Sequence, residues 1–253
     1  MSSLVIAGIT FVCTFGGAVF GMVLRGVLPD PHLSSDSKDV VKMGTGLIAT
    51  MSALVLGLLI ASAKSTLDAQ RTGFQQMATN VVLLDRTLAH YGPEAKAPRE
   101  LLHKTVGSAI DRLWPADGSP KSGLDAPEFT ANGTALYEAI RDLAPTTDAQ
   151  RASQAQDLQI SADVAKTRWL LSQRDEGSIP KPFLAILVFW LSVLFTSFGL
   201  FSPRNGTVIV VLLVCALSVA SALLLIVDMS EPFTGLFQIS STSLRNALGQ
   251  LGQ

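Results

Sequence analysis

The sequence predicts an all-α integral membrane protein with four transmembrane helices in two hairpins and a helical soluble domain inserted between spans two and three. Three observations predict this class. Four apolar, charge-free stretches lie at residues 4–24, 44–63, 183–201 and 208–227. The residues between the second and third stretches are polar and show helical rather than strand periodicity. Charged residues are 15 % of the chain, against about 25 % in an ordinary soluble domain. Hydrophobic residues reach 48 % and mean hydropathy is +0.40. A hydrocarbon core about 30 Å thick needs roughly 20 helical residues to cross it. Inside lipid every backbone N–H and C=O must be paired within its own segment, so each stretch reads as a helix.

The domain organisation follows: residues 1–64 a first transmembrane hairpin, 65–181 a helical domain continuing from span two, 182–228 a second hairpin, and 229–253 a short C-terminal tail. Span one reads as a retained helix. Met1-Ser2-Ser3 lacks the basic leader of a signal peptide, and the apolar run exceeds the usual 7–15 residues of such a segment. A link with Pro29 and Pro31 follows, and Ser34 or Asp36 is a suitable N-cap for the helix entering span two.

No helix breaker occurs from there until Gly92-Pro93, a lone Gly73 being tolerated. Leu67, Phe74, Met77, Val81, Leu84 and Leu88 are spaced 7, 3, 4, 3 and 4, a heptad-like seam on a long continuation of span two. A second helix covers 99–113, with Leu102, Val106, Ile110 and Leu113 inward, and stops at Trp114-Pro115. Residues 116–127 read as an exposed loop, and 128–143 as a third helix ended by Pro145. Thr146 or Thr147 caps a fourth helix, on which Ala155, Leu158, Ala162, Ala165 and Trp169 repeat at spacings of 3 and 4, with small residues that would let a partner helix come close. Residues 177–182 break it before span three, and 202–206 turn the chain into span four.

With four spans, both termini and the middle domain share one side. That side carries Lys64, Arg71, Arg168, Arg174, Lys181 and Arg245 near the spans, against Arg25, Lys38, Lys42 and Arg204 on the other. The positive-inside rule makes the first side cytoplasmic, in a cell inner membrane.

The pattern excludes several functions. A net charge of −1 implies no nucleic-acid partner. Cys13 and Cys215 fall inside spans and build no disulfide framework. His32, His90 and His103 lie on separate elements without metal-ligand spacing, so no metal and no cofactor is expected. No hydrolase, zincin or P-loop pattern occurs, and the chain is not expected to be an enzyme. The spans hold neither charge nor proline, unlike the broken, charged helices of secondary transporters.

Span two is the most informative element. Gly46, Thr50, Ala53, Gly57 and Ala61 form a small-residue face suited to close helix packing, and Gly17 and Gly21 give span one a matching face. A neighbouring face of span two reads Thr45, Ala49, Ser52, Leu56, Leu59 and Ser62, polar at both ends and apolar between. Around a symmetry axis it would line a pore with an apolar constriction, which can gate by dewetting. The alternative is that its hydroxyls bond their own backbone and the face meets another helix.

The run from His32 to Lys42, continued by Gly44-Thr45-Gly46-Leu47-Ile48-Ala49-Thr50-Met51 and Leu54-Val55-Leu56-Gly57-Leu58-Leu59, resembles the bestrophin-like family of bacterial multi-pass membrane proteins. So does Glu231-Pro232-Phe233-Thr234-Gly235-Leu236 after the last span. These are distantly similar to bestrophins, pentameric and mainly anion-selective channels whose second span lines the pore. The resemblance implies an oligomeric, anion-conducting channel, a homo-pentamer, with the bilayer and inorganic ions as its partners. It points to Thr45, Ser52, Leu56 and Leu59 as pore residues. The acids that contribute to calcium binding in bestrophins are missing after Gly235, and span two has no Phe to match the aromatic neck of the animal channels. The competing reading is a non-conducting membrane scaffold or sensor whose helical cytoplasmic domain binds a protein partner.

Overall fold

The computed structural model describes residues 3–29, 34–115, 126–175, 181–230 and 237–252. The described residues form eight α-helices and no strand: α1 Ser3–Arg25, α2 Ser35–Tyr91, α3 Lys96–Leu113, α4 Pro127–Arg141, α5 Asp148–Asp175, α6 Lys181–Phe201, α7 Gly206–Asp228 and α8 Thr242–Gln250. Four of them, α1, α2, α6 and α7, are long and apolar enough to cross a membrane. His32 and Pro31, the 116–125 loop, the break at 177–180 and the 231–236 signature lie outside the described residues. The chain divides into two compact units, Met1–Ser65 with Ile179–Ser230, and Thr66–Ser178 with Glu231–Gln253; α2 contributes to both.

In the first unit α1 lies against α6 and α7. Small residues make the α1–α6 approach close. A Cβ on Gly17 would come within 2.9 Å of the Ser192 carbonyl oxygen and the Thr196 hydroxyl. One on Gly21 would run into the Thr196 carbonyl, and one on Gly199 into that of Ala18. The Gly17–Gly21 face, expected to match span two, therefore meets α6. Thr10 and Thr14 are fully buried on α1, and their hydroxyls donate to the carbonyls of Ile6 and Thr10 at 2.9 and 2.8 Å. Each hydroxyl is thus satisfied within its own helix.

The helix ends are tied by arginines. Arg204 donates to the Met22 carbonyl from Nε at 3.1 Å and to the Val23 carbonyl from Nη2 at 3.3 Å; Arg25 donates to the Ser202 carbonyl. Cationic donors satisfy the last carbonyls of a helix and complement its negative end. Asn205 caps α7 by accepting from the Val208 N–H at 2.9 Å. At the start of α2 the Ser34 hydroxyl accepts from the Ser37 N–H at 3.3 Å, making Ser34 the cap of the two candidates whose side chain is described.

In the second unit the seam on α2 is the core. Leu67, Phe74, Met77, Val81, Leu84 and Leu88 are all buried, as are Leu102, Val106, Ile110 and Leu113 of α3. The helix stops where Gly92 adopts φ 128°, which an L side chain rarely accepts, and Pro93 opens a short 3-10 turn. Thr147 and Gln150 build a capping box before α5. The Thr147 hydroxyl accepts from the Gln150 N–H at 3.1 Å, and the Gln150 side chain accepts from the Thr147 N–H at 3.3 Å.

The buried face of α5 is not the small-residue stripe. Ala155, Ala162, Ala165 and Trp169 are exposed and Leu158 is half-buried, whereas Asp157, Ile160, Ser161 and Leu171 are buried. Two polar residues share the buried face, so hydropathy spacing cannot find it. The C-terminal segment packs on this unit too: α8 lies on α3, Leu244 and Ala247 are buried, and Trp114 Nε1 donates to the Ile239 carbonyl at 2.7 Å.

The α1–α6 contact yields a prediction. Gly199→Val forces the helices apart and costs about 1–3 kcal/mol, as overpacking does, read as a lower melting temperature of the purified protein. Gly8→Ala, whose Cβ would meet nothing within 4 Å, leaves it in place.

Candidate functional site

The candidate site is α2 within the first unit, where two faces can be told apart by what covers them. Leu59 and Ala63 join Leu187, Leu191 and Leu194 of α6 and Leu223 and Ile226 of α7 in one buried cluster, with Ile48, Ala49, Val55 and Leu56 packed against it. Of the residues expected along a pore, Ser52 and Leu59 are therefore buried, 4 % and 6 % exposed. Thr45, Ala49 and Leu56 are half-buried, and Ser62 is exposed. Over its middle this face looks at the chain's own α6 and α7.

The small-residue face is open instead. Gly46, Thr50, Ala53, Gly57 and Ala61 are exposed, and a Cβ on Gly46 or Gly57 would meet nothing within 4 Å. Each residue turns a helix by about 100°, which puts Thr50, Leu54 and Ala61 opposite the Ser52–Leu59 line; Leu54 is 70 % exposed. Thr45 and Thr50 donate to the carbonyls of Val41 at 2.8 Å and Gly46 at 3.0 Å. These two hydroxyls are thus engaged by their own backbone. The Ser52 hydroxyl, by contrast, is buried with no hydrogen-bond partner.

Further along α2, in the second unit, the charged residues Asp68, Arg71 and Asp85 have different surroundings. Asp68 and Arg71 are exposed, but Asp85 is only 3 % exposed. Arg99 of α3 grips both its oxygens, Nε to Oδ1 and Nη2 to Oδ2, each at 2.8 Å, and the Gly252 N–H donates to Oδ2 at 3.2 Å. Burial pushes the Asp85 carboxyl up, but these hydrogen bonds and the nearby Arg99 and His103 charges outweigh it and hold it below the usual carboxylate range. One bidentate pair thus joins α2 and α3, and its carboxylate also holds Gly252, two residues past α8. The one sequence signal for it was an acid near the end of an apolar seam.

Asp157 of α5 is the opposite case. It is fully buried; Oδ1 accepts from the Thr87 hydroxyl of α2, and Oδ2 has no partner. Burial pushes its pKa up to about 6, against the lowering effect of the Thr87 bond. Among the described residues no three His, Cys, Asp or Glu side chains come together to hold a metal ion. Cys13 and Cys215 are free and exposed on α1 and α7.

The sign of the Asp157 effect can be tested. A carboxyl whose folded pKa lies above its unfolded value near 3.8 adds stability as pH falls through the folded pKa, and the gain levels off below the unfolded one. The wild type should gain of order 1–2 kcal/mol between pH 7.5 and 4.5, measured by denaturant unfolding at each pH, and Asp157→Asn should remove that gain. Asp85 does not mask it, because its lowered pKa releases stability only as pH falls below the ordinary carboxylate range.

The Bestrophin-like domain model matches residues 12–244. No curated protein matches the chain. Two solved structures are similar, both point-mutant forms of a bacterial bestrophin homologue from Klebsiella pneumoniae. One has a TM-score of 0.67 at 15 % identity, covering 97 % of this chain and 98 % of that one. The other has a TM-score of 0.65 at 15 % identity, covering 98 % and 99 %. At this identity the likeness is one of fold, and it extends over both compact units. With a family model spanning nearly the whole chain, and apolar helices suited to a bilayer, this membrane protein belongs to the Bestrophin-like family.

Proposed function

We propose that the protein is an oligomeric ion channel of the inner membrane, anion-conducting, with α2 lining the path. In this reading α1, the first part of α2, α6 and α7 are four spans, and the polar helical unit and both termini are cytoplasmic. The observation that carries it is the one-sided cover of α2. In the apolar unit α6 and α7 cover one side of α2 and leave the small residues of the other side open. A helix facing only lipid has no need of Gly46, Ala53 and Gly57, whereas small residues let helices from neighbouring copies approach. A closed symmetric ring of copies would then enclose an axis.

The pore stripe proposed here is Thr50, Leu54, Gly57 and Ala61, on the side of α2 opposite Thr45, Ser52 and Leu59. In this reading Ser52 and Leu59 serve packing, supported by the burial of both and by the contact of Leu59 with the α6–α7 cluster. Selectivity for anions and a ring of five copies come from the family resemblance, and the lack of any acid on the stripe agrees with the former.

The test is ion flux from purified protein in liposomes, with chloride and potassium gradients applied separately. Chloride flux should exceed potassium flux. Ala61→Trp should cut flux by about tenfold or more by occluding an apolar constriction, with the oligomer intact. Leu59→Ala should instead lower stability by about 2–4 kcal/mol, as a core truncation does, and spare the flux of the folded fraction. Absence of flux under either gradient from an intact oligomer would favour the scaffold or sensor reading, and unchanged flux in Ala61→Trp would remove the stripe assignment.

A further inference from the structure

The end of the apolar unit where α1 and α6 stop and α7 starts carries more positive charge than its helix ends call for. Arg25 closes α1, and Arg204 lies in the turn between α6 and α7. Arg204 rests on the Met22 and Val23 carbonyls, and Arg25 on that of Ser202. These acceptors are all backbone carbonyls, and among the described residues no acid pairs with either arginine. A helix end carries about half an elementary charge. The C-terminal ends of α1 and α6 thus set about one negative charge against two guanidiniums, and the N-terminal end of α7, starting at Gly206, is itself positive. A surplus of about one and a half positive charges remains. Capping accounts for the carbonyl contacts but not for this surplus. The forks are not used up either. Arg204 engages Nε and Nη2, and among the described residues neither its Nη1 nor the Nε and Nη2 of Arg25 has an acceptor. The surface beside the pair is apolar. Phe20 and Val23 on α1 and Val27 just after it are spaced 3 and 4, so they lie one above another, and each is more than half exposed.

We propose that Arg25 and Arg204 hold the phosphate of an anionic phospholipid, with its acyl chains along Phe20 and Val23. A phosphodiester carries one negative charge, and guanidinium forks match its oxygens with paired, charge-assisted hydrogen bonds. Basic pockets between transmembrane helices recognise lipid head groups in this way. A free phosphate shares the chemistry of the head, and the exposed apolar strip below the pair selects the lipid. The site rests on the reading above only in that α1, α6 and α7 cross the bilayer; it needs no conduction.

Native mass spectrometry of the full-length protein in detergent counts the lipids it keeps. The probes are dioleoyl phosphatidylglycerol, dioleoyl phosphatidylcholine as its net-neutral match with the same tails, and inorganic phosphate as the head alone. Phosphatidylglycerol should saturate at one per chain and bind about tenfold more tightly than phosphatidylcholine, as charged hydrogen bonds allow. Arg25→Gln and Arg204→Gln should each remove that preference and leave phosphatidylcholine unchanged. Lys42→Gln, which removes a cation paired with Asp39 and outside the site, should keep the preference. Either arginine variant also loses a tie between helix ends, so Thr207→Glu guards against misfolding. Thr207 is exposed in the first turn of α7, where an acid favours the helix, and the new carboxylate would offset the surplus charge. It too should weaken phosphatidylglycerol by about tenfold. Equal retention of the two lipids, or a preference that survives in Thr207→Glu or in both arginine variants, would overturn the site. Inorganic phosphate displacing phosphatidylglycerol at equal concentration would overturn the lipid as its occupant. Ion flux is not the readout, so a silent pore and an absent lipid site are told apart.

Discussion

An unbroken helical backbone from Ser35 to Tyr91 is the constraint on which the rest depends. At 1.5 Å per residue its 57 residues make a helix about 85 Å long. One helix therefore supplies a wall of the apolar unit and the core seam of the polar one. Even its one interior glycine after the apolar stretch has a packing reason: a Cβ on Gly73 would lie 2.8 Å from Leu171 Cδ2 of α5.

Polar side chains secure the helical unit at a few buried points. The Asp85–Arg99 pair and the Gly252 N–H fix α2, α3 and the end of the chain together. Breaking such a pair by removing one partner leaves a buried charge unmatched, which is why it tethers more firmly than surface pairs such as Lys42–Asp39. Asp157 is held less well, with one oxygen bonded to Thr87 and the other bare. The two acids, buried to similar degrees, are moved in opposite directions because one has a cationic fork and the other a hydroxyl.

Much of this was legible in the sequence. The four apolar stretches, the seam from Leu67 to Leu88, the inward residues of α3 and the Thr147 cap rest on local rules of period and capping, and the helices fall there. What was not legible depends on partners distant in sequence. Gly17 and Gly21 announce a close contact, but nothing in their spacing names α6 as the other helix. Hydropathy cannot show that α5 buries Asp157 and Ser161 while exposing Ala162 and Trp169. The face of α2 that looks most like a pore by its Ser-Leu-Leu pattern is the one α6 and α7 cover, and an acid inside an apolar seam does not announce Arg99. In each case the period was readable and the identity of the covering element was not.

Function as a channel depends on which side of α2 faces a shared axis. Single-particle imaging of the intact protein in nanodiscs tests that directly. The prediction is several copies related by rotation, with Thr50, Leu54 and Ala61 of each α2 around a central path and α6 and α7 outside it. A lone chain, or a ring in which α2 lies at the periphery or turns its Ser52–Leu59 face to the axis, would contradict it.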